Sequence, residues 1–125
     1  MIQHIALTIN NPDEITNFYK DVFMVEIHHQ FSLTRDLSQM IFNREGDFDV
    51  SVMRNDEMEF ELFLTDEVEK KVFSHTCLSF KNSQQIMEKA QKAGYRTVIK
   101  PRNDGCDTYF IWDKSGNLFE VKEKQ

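Results

Sequence analysis

Hydrophobic and polar residues alternate along residues 1–10, a pattern typical of a β-strand with one apolar face. Ile5, Leu7 and Ile9 share that face, whereas His4, Ala6 and Thr8 lie on the other. Asn11 and Pro12 then predict the start of a helix, with Asn11 as its N-cap and Pro12 at its first position. The spacing of the following apolar residues predicts the buried side of that helix: Ile15, Phe18, Tyr19, Val22 and Phe23.

The remainder of the first half predicts three more strands and a second, shorter helix. Alternation favours strands at 25–33, 49–54 and 58–65, the last two joined by a turn at Asn55-Asp56. Residues 35–43 favour a short helix, because Leu37, Met40 and Ile41 are three and four positions apart.

The second half of the chain repeats this order. The segment SHTCLSFKN at 74–82 aligns with QHIALTINN at 3–11, so that His75 corresponds to His4. Near the C-terminus, Phe119-Glu120-Val121 aligns with Phe60-Glu61-Leu62. Between them we predict a helix near 83–93 that ends at Gly94, and strands at 95–100, 108–112 and 117–122. The sequence therefore predicts a single α+β domain, residues 1–125, in which two tandem β-α-β-β-β modules form a curved mixed sheet. Module one is predicted at 1–66, a linker at 67–73 and module two at 74–125.

Composition narrows the class of protein. A chain of 125 residues with 40% apolar residues and 11 phenylalanines is typical of one globular domain. A net charge of −6 argues against a nucleic-acid partner, because phosphate contacts need clustered Lys and Arg. No apolar run is long enough to span a membrane, and the N-terminus lacks the pattern of a signal peptide. With only Cys77 and Cys106, no disulfide framework is expected, so we predict a cytoplasmic protein that acts on a small molecule.

The repeated histidines and glutamates are the candidate site. His4 and His75 each share a strand face with small residues, which leaves room for a cavity. Glu61 and Glu120 lie in otherwise apolar strands, where a carboxylate needs a partner. If the modules pack symmetrically, two imidazoles and two carboxylates converge on a metal cleft, and a divalent ion there would keep positions open for a substrate.

Isolated residues of the same types are usually structural, and several here fit that interpretation. His28, His29 and Glu59 are predicted to be surface residues. Cys77 is expected to line the cavity as a small filler, and Cys106 lies in a loop with no histidine near it to activate the thiol. The donor set does not choose among Ni, Zn, Mn, Co and Fe.

Four segments resemble the vicinal oxygen chelate superfamily, which includes glyoxalase I, fosfomycin-resistance proteins, extradiol dioxygenases and bleomycin-resistance proteins. They are HIALTINNPDEITNFYKDVF, MEFELFL, SHTCLSF and YFIWDKSGNLFEV. The resemblance is nearest to single-domain glyoxalase-I-like proteins, and it implies one divalent metal ion, a homodimer, and the metal ligands His4, Glu61, His75 and Glu120. It further implies catalytic roles for Glu120, as the base that takes the substrate's proton, and for Glu61, as its partner. Whether the modules pair within one chain or across two chains stays open.

Three functions are consistent with this pattern. The first is a metal-dependent lyase or isomerase of glyoxalase type that chelates vicinal oxygens and moves a proton. The second is a non-catalytic binding protein of bleomycin-resistance type, suggested by the net charge of −6 together with Tyr109 and Trp112. The third is a fosfomycin-modifying type of transferase, which would need only His4, His75 and Glu120 as ligands.

Overall fold

The computed structural model of the protein describes residues 1–67 and 69–125. Within them, module one contains β1 (Ile5–Ile9), a π-helix (Ile15–Lys20), β2 (Glu26–Leu33), α1 (Arg35–Phe42), β3 (Phe48–Arg54) and β4 (Glu59–Leu64). Module two contains β5 (Thr76–Phe80), α2 (Ser83–Lys92), β6 (Thr97–Lys100), β7 (Thr108–Trp112) and β8 (Leu118–Glu123). The predicted α+β class and the tandem β-α-β-β-β order are confirmed, with strand bounds close to those the alternation predicts. The described residues of the predicted linker 67–73 form no helix or strand, and residue 68 of that linker lies outside the described part.

Each module forms its own four-stranded mixed sheet, in the orders β1-β4-β3-β2 and β5-β8-β7-β6. The first and fourth strands of each module pair in parallel, and the other neighbours pair antiparallel. The register is repeated as well: Ala6 lies opposite Glu61 in module one, and Cys77 lies opposite Glu120 in module two. The sequence repeat is therefore preserved residue by residue on the strands that carry the candidate site.

One hydrophobic core joins the two modules. The ring of Phe119 on β8 lies 5.8 Å from Phe18 and 4.8 Å from Phe23, both of module one, measured between ring centroids. Tyr19 and Phe60 complete the aromatic contacts around it, at 6.2 and 6.1 Å. Burying each of these rings contributes about 1.5–3 kcal/mol, and for Phe119 this contribution depends on both modules being present.

Buried hydrogen bonds also join the turn between β7 and β8 to module one. Asp113 in that turn accepts hydrogen bonds from the Tyr19 hydroxyl at 2.7 Å, from the backbone N–H groups of Ser115 and Asn117, and from the Asn117 side-chain amide. Burial, followed by the charge of Asp113, raises the pKa of Tyr19, so the phenol remains a donor. Because every partner is satisfied, this network stabilises the contact between the modules.

A second buried carboxylate makes a parallel contact nearby. Glu14, which is 2% exposed, accepts hydrogen bonds from the Tyr95 hydroxyl at 2.6 Å and from the Lys114 backbone N–H at 2.5 Å. Burial, followed by the hydrogen bond to Glu14, raises the pKa of Tyr95. The N-terminal end of the π-helix is thus hydrogen-bonded to module two at two positions, Tyr95 and Lys114.

The short helix predicted at 35–43 is present as α1, but its apolar stripe does not face the core. Leu37, Met40 and Ile41 are exposed, whereas Ser38 is fully buried. Phe42 packs edge-on against Phe63 of β4, with 5.6 Å between ring centroids. The helix therefore lies over the face of the first sheet that also carries Glu61, and it ends at Asn43, which has the left-handed conformation. None of the helices in residues 1–67 and 69–125 has the length and hydrophobicity needed to cross a lipid bilayer.

Candidate functional site

Half-site one is formed by His4 and Glu61 of module one. His4 comes directly before β1, and the parallel pairing of β1 with β4 places Ala6 opposite Glu61. His4 is two residues before Ala6 and so shares its face of the sheet. The result is a distance of 3.6 Å between Nε2 of His4 and Oε2 of Glu61, with side chains that are 42% and 22% exposed.

Half-site two is formed by His75 and Glu120 in the equivalent positions of module two. Nε2 of His75 lies 3.5 Å from Oε1 of Glu120, and the two side chains are 41% and 18% exposed. The other ring nitrogen, Nδ1 of His75, lies 2.8 Å from the backbone oxygen of Phe73. A carbonyl oxygen only accepts hydrogen bonds, so Nδ1 carries a proton and Nε2 is the nitrogen that faces the carboxylate.

Cys77 and Lys122 distinguish half-site two from half-site one. Nζ of Lys122 lies 3.2 Å from Oε2 of Glu120, and Sγ of Cys77 lies 3.7 Å from the same oxygen. Burial acts to raise the pKa of Glu120, but the hydrogen bond and the charge of Lys122, with smaller contributions from Cys77 and His75, bring it below its usual value. Glu120 is therefore a carboxylate at neutral pH and available to bind a cation or accept a proton.

Cys77 is exposed on the sheet face that carries Glu120. Burial, followed by the negative charge of Glu120, raises the pKa of the Cys77 thiol, so the thiol is protonated at neutral pH and is a poor nucleophile. Cys106 is exposed, and both cysteines are free. His28 and His29 are exposed on β2, as predicted.

Glu59 was predicted to be a surface carboxylate, and the structure places it beside half-site one instead. It is 28% exposed, and its Oε2 lies 3.8 Å from Nδ1 of His4, on the opposite side of the ring from Glu61. Its Oε1 lies 4.0 Å from Arg54. Strand alternation could have predicted this position, because Glu59 and Glu61 are two residues apart on one strand and therefore share a face of the sheet.

The chain pairs each histidine with the glutamate of its own module and does not join the two half-sites. In the part of the chain that the structure describes, no group of three or more His, Cys, Asp or Glu side chains is arranged to hold a metal ion. Convergence of His4, Glu61, His75 and Glu120 on one ion thus stays a prediction.

Each half-site nevertheless has the donors and the spacing for two neighbouring metal ligands. Imidazole nitrogen and carboxylate oxygen bind first-row divalent ions at about 2.0–2.2 Å, so two neighbouring donors on one ion are about 3.0–3.4 Å apart. The observed separations of 3.6 and 3.5 Å are close to that range. Small side-chain rotations would bring either pair onto an ion.

Exposed apolar residues precede both histidines at equivalent positions. Met1 and Ile2 come before His4, and Val72 and Phe73 come before His75. Their side chains are exposed, Val72 by 73% and Phe73 by 87%. Each half-site histidine therefore follows two exposed apolar residues in the chain, at positions that the repeat makes equivalent.

Comparison with known proteins gives a family match and several structural matches. Residues 1–121 match the model of the Glyoxalase/Bleomycin resistance protein/Dioxygenase superfamily. No curated protein sequence matches the chain significantly.

The solved structures similar to this one share its fold at low sequence identity. The genomically encoded fosfomycin resistance protein FosX from Listeria monocytogenes, in its hexagonal crystal form, is 16% identical, covers 100% of this chain and 93% of its own, and has a TM-score of 0.74. A glyoxalase family protein from Enterococcus faecalis is 17% identical, with coverages of 98% and 97% and a TM-score of 0.72. A mutant of the Listeria FosX, complexed with Mn(II) and 1S,2S-dihydroxypropylphosphonic acid, is 15% identical, with coverages of 98% and 88% and a TM-score of 0.71.

Proposed function

The chain belongs to the Glyoxalase/Bleomycin resistance protein/Dioxygenase superfamily, and on that premise we propose that it is a divalent-metal-dependent enzyme of glyoxalase type. Its substrate is a small molecule with two adjacent oxygen atoms, and the reaction is that of a lyase or isomerase that moves a proton. The metal ligands in this proposal are His4, Glu61, His75 and Glu120.

The observation that carries the proposal is the orientation of the His75 ring. Its Nδ1 proton is engaged by the Phe73 carbonyl, and its Nε2 lies 3.5 Å from a carboxylate oxygen. Nε2 and the carboxylate oxygen can therefore both direct a lone pair at a cation placed between them, as two neighbouring metal ligands do. A hydrogen bond from the outer ring nitrogen to a backbone carbonyl is the arrangement by which proteins orient a metal-binding histidine.

We assign completion of the site to a second copy of the chain. Half-site one of one copy would face half-site two of the other, giving a homodimer with two equivalent sites. The exposed pairs Met1-Ile2 and Val72-Phe73 support this arrangement, because they adjoin the half-sites and would be buried between the copies. Because each pair stands at the same distance before its histidine, each half-site would bring two apolar side chains to the contact between the copies.

In the assembled site, the ion would polarise the substrate's vicinal oxygens and stabilise the negative charge that develops on proton removal. Glu120 is the proposed base, since it is anionic at neutral pH and lies on the cleft face of β8. Glu61 is its partner across the site. Lys122 holds Glu120 in place and adds positive charge beside it.

Metal content of the purified protein tests this proposal. After loading with Mn(II) or Zn(II) and removal of excess ion, we expect about one ion per chain in the wild type. His75→Ala should lower the content to near zero at the same free-metal concentration. His29→Ala is the matched control, because His29 is an exposed histidine of module one outside both half-sites.

Two results would overturn the proposal. One is the absence of stoichiometric metal under every loading condition, which would favour the non-catalytic binding protein of bleomycin-resistance type. The other is equal metal loss in His29→Ala and His75→Ala, which would show that the ion binds elsewhere.

A fosfomycin-modifying activity is the second candidate, and Lys122 is the observation that favours it. Its ammonium lies 3.2 Å from Glu120 and would place a cation next to a phosphonate held at the same site. Incubating Mn(II)-loaded protein with fosfomycin, with and without a thiol, and following the phosphorus resonance distinguishes this candidate. An unchanged spectrum under both conditions would reject it.

A further inference from the structure

Glu59 lies beside His4 on the side of the ring that the proposed metal ion would leave free. Its Oε2 is 3.8 Å from Nδ1 of His4, whereas Nε2 of the same ring is 3.6 Å from Oε2 of Glu61. Glu59 and Glu61 alternate onto the same face of β4, the face on which His4 lies. The imidazole of half-site one therefore stands between two carboxylates, and only one of them is a proposed ligand.

The histidines of the two modules differ in the group that faces Nδ1. In module two, Nδ1 of His75 lies 2.8 Å from the backbone oxygen of Phe73, and this contact leaves Nε2 to face Glu120. In module one, a carboxylate oxygen of Glu59 faces Nδ1 of His4. Each ring thus has an acceptor beside Nδ1, but module two supplies it from the backbone and module one from a side chain.

The repeat shows that the strand itself does not require a charged residue at this position. Glu59 aligns with Leu118 of module two. Glu59 is the register partner of Arg54 on β3, and Leu118 is the register partner of Trp112 on β7. An apolar pair therefore suffices at this point of the fold. Module one has two opposite charges there instead, with 4.0 Å between Nη1 of Arg54 and Oε1 of Glu59.

The position of the imidazole proton decides which ring nitrogen can bind an ion. A neutral ring carries one N–H, and only the other nitrogen has a lone pair to donate. Glu61 alone would attract the proton to Nε2, the nitrogen that the metal needs. Glu59 attracts it to Nδ1 instead. A carboxylate or carbonyl oxygen on that side is the arrangement by which proteins orient a metal-binding histidine.

We propose that Glu59 is a positioning residue of half-site one: it holds the proton of His4 on Nδ1 and so leaves Nε2 for the ion. Arg54 faces the other oxygen of the Glu59 carboxylate and keeps Oε2 directed at the ring. Glu59 itself does not bind the ion in this arrangement, because it lies on the opposite side of the ring from Glu61. The inference rests on the proposed function, since the ion is the one that the four proposed ligands hold.

Two variants of Glu59 and one control test this role. Glu59→Leu introduces the side chain that module two has at this position, and Glu59→Gln removes the charge but keeps an oxygen that can accept a hydrogen bond. The control is Glu57→Gln, which removes one negative charge from the same segment, where Glu57 pairs with Lys124. Circular dichroism and urea unfolding check that all three variants fold.

The first readout is the position of the His4 proton in the metal-free protein at alkaline pH, where histidine rings are neutral. A two-bond proton–nitrogen correlation spectrum distinguishes the two ring nitrogens, and His4→Ala identifies the signals of His4. We expect the proton to reside on Nδ1 more often in the wild type than in Glu59→Leu, with Glu59→Gln between them and Glu57→Gln unchanged. A role limited to strand packing would not move this proton.

The second readout is Zn(II) affinity, and it lets the two proposals fail separately. We expect Glu59→Leu to weaken binding about tenfold to a hundredfold, Glu59→Gln to weaken it less, and Glu57→Gln to leave it unchanged. If the wild type binds Zn(II) and Glu59→Leu binds it equally tightly, or if the His4 proton does not move, the role of Glu59 is wrong and the proposed function stands. If the proton moves but even the wild type binds no metal, the proposed function is wrong and the orientation of His4 by Glu59 stands.

Discussion

Mixed dimers of two inactive variants would show whether half-sites from different copies meet. His4→Ala removes the nitrogen of half-site one, and His75→Ala removes that of half-site two. In either homodimer every site lacks one imidazole, so we expect weak metal binding from each variant alone.

The recovery on mixing follows from the two-fold arrangement. When equal amounts exchange chains freely, about half of the dimers contain one chain of each variant. In such a dimer, one site joins the intact His4 of one chain with the intact His75 of the other, and the second site lacks both. About a quarter of all sites should therefore recover full affinity.

Bound Mn(II) measured by electron paramagnetic resonance gives the fraction of recovered sites, and native mass spectrometry confirms that mixed dimers have formed. The control mixes His75→Ala with His29→Ala, for which about half of the sites bind metal before and after exchange, so mixing brings no gain. If mixed dimers form and no binding returns, the half-sites of two copies do not meet and the proposed assembly is wrong.

Three further predictions follow from other parts of the structure. Asp113→Ala should destabilise the protein by about 3–5 kcal/mol in urea unfolding, because it leaves the buried donors of Tyr19 and Asn117 unpaired; a loss below about 1 kcal/mol would contradict this. Hydrogen bonds from Ser83 and Asn82 at the start of α2 lower the pKa of Glu123 below its ordinary value of 4.5. The Glu123 carboxylate therefore stabilises the folded protein above pH 4.5, and this contribution is lost as the pH falls through the lowered pKa. The stability difference between wild type and Glu123→Gln, measured by urea unfolding at several pH values, should therefore shrink on acidification, and a constant difference would refute this. Phe73→Ser should weaken self-association about tenfold to a hundredfold in light scattering without changing the circular dichroism of the chain, and an unchanged dimer would exclude Phe73 from the interface.

Local patterns along the chain are enough to predict the modules and the pairing within each of them. Alternation places His4 and Ala6 on one face of β1, and a parallel strand with Glu61 opposite Ala6 brings the carboxylate to the imidazole. The same reasoning holds for His75 and Glu120, because the repeat preserves the register. The pairs follow from strand geometry, which the sequence encodes within a few residues.

The sequence could not predict the placement of one sheet against the other. Strand periodicity says which side chains share a face of one sheet, but the distance between the two half-sites depends on how the aromatic core packs. The orientation of α1 has the same origin: the spacing of Leu37 and Met40 predicts a helix, whereas the burial of Ser38 is decided by contacts with residues far away in the chain. Glu59 could have been assigned to the site by the alternation rule already applied to Glu61.

Phe119 is encoded in module two, yet its ring packs among Phe18, Phe23 and Phe60 of module one. Its neighbour Glu120 points to the opposite face of β8, so the position of this carboxylate is set by packing in the other half of the chain. A change of side-chain volume among these residues of module one would therefore also shift the carboxylate of Glu120, although Glu120 belongs to module two.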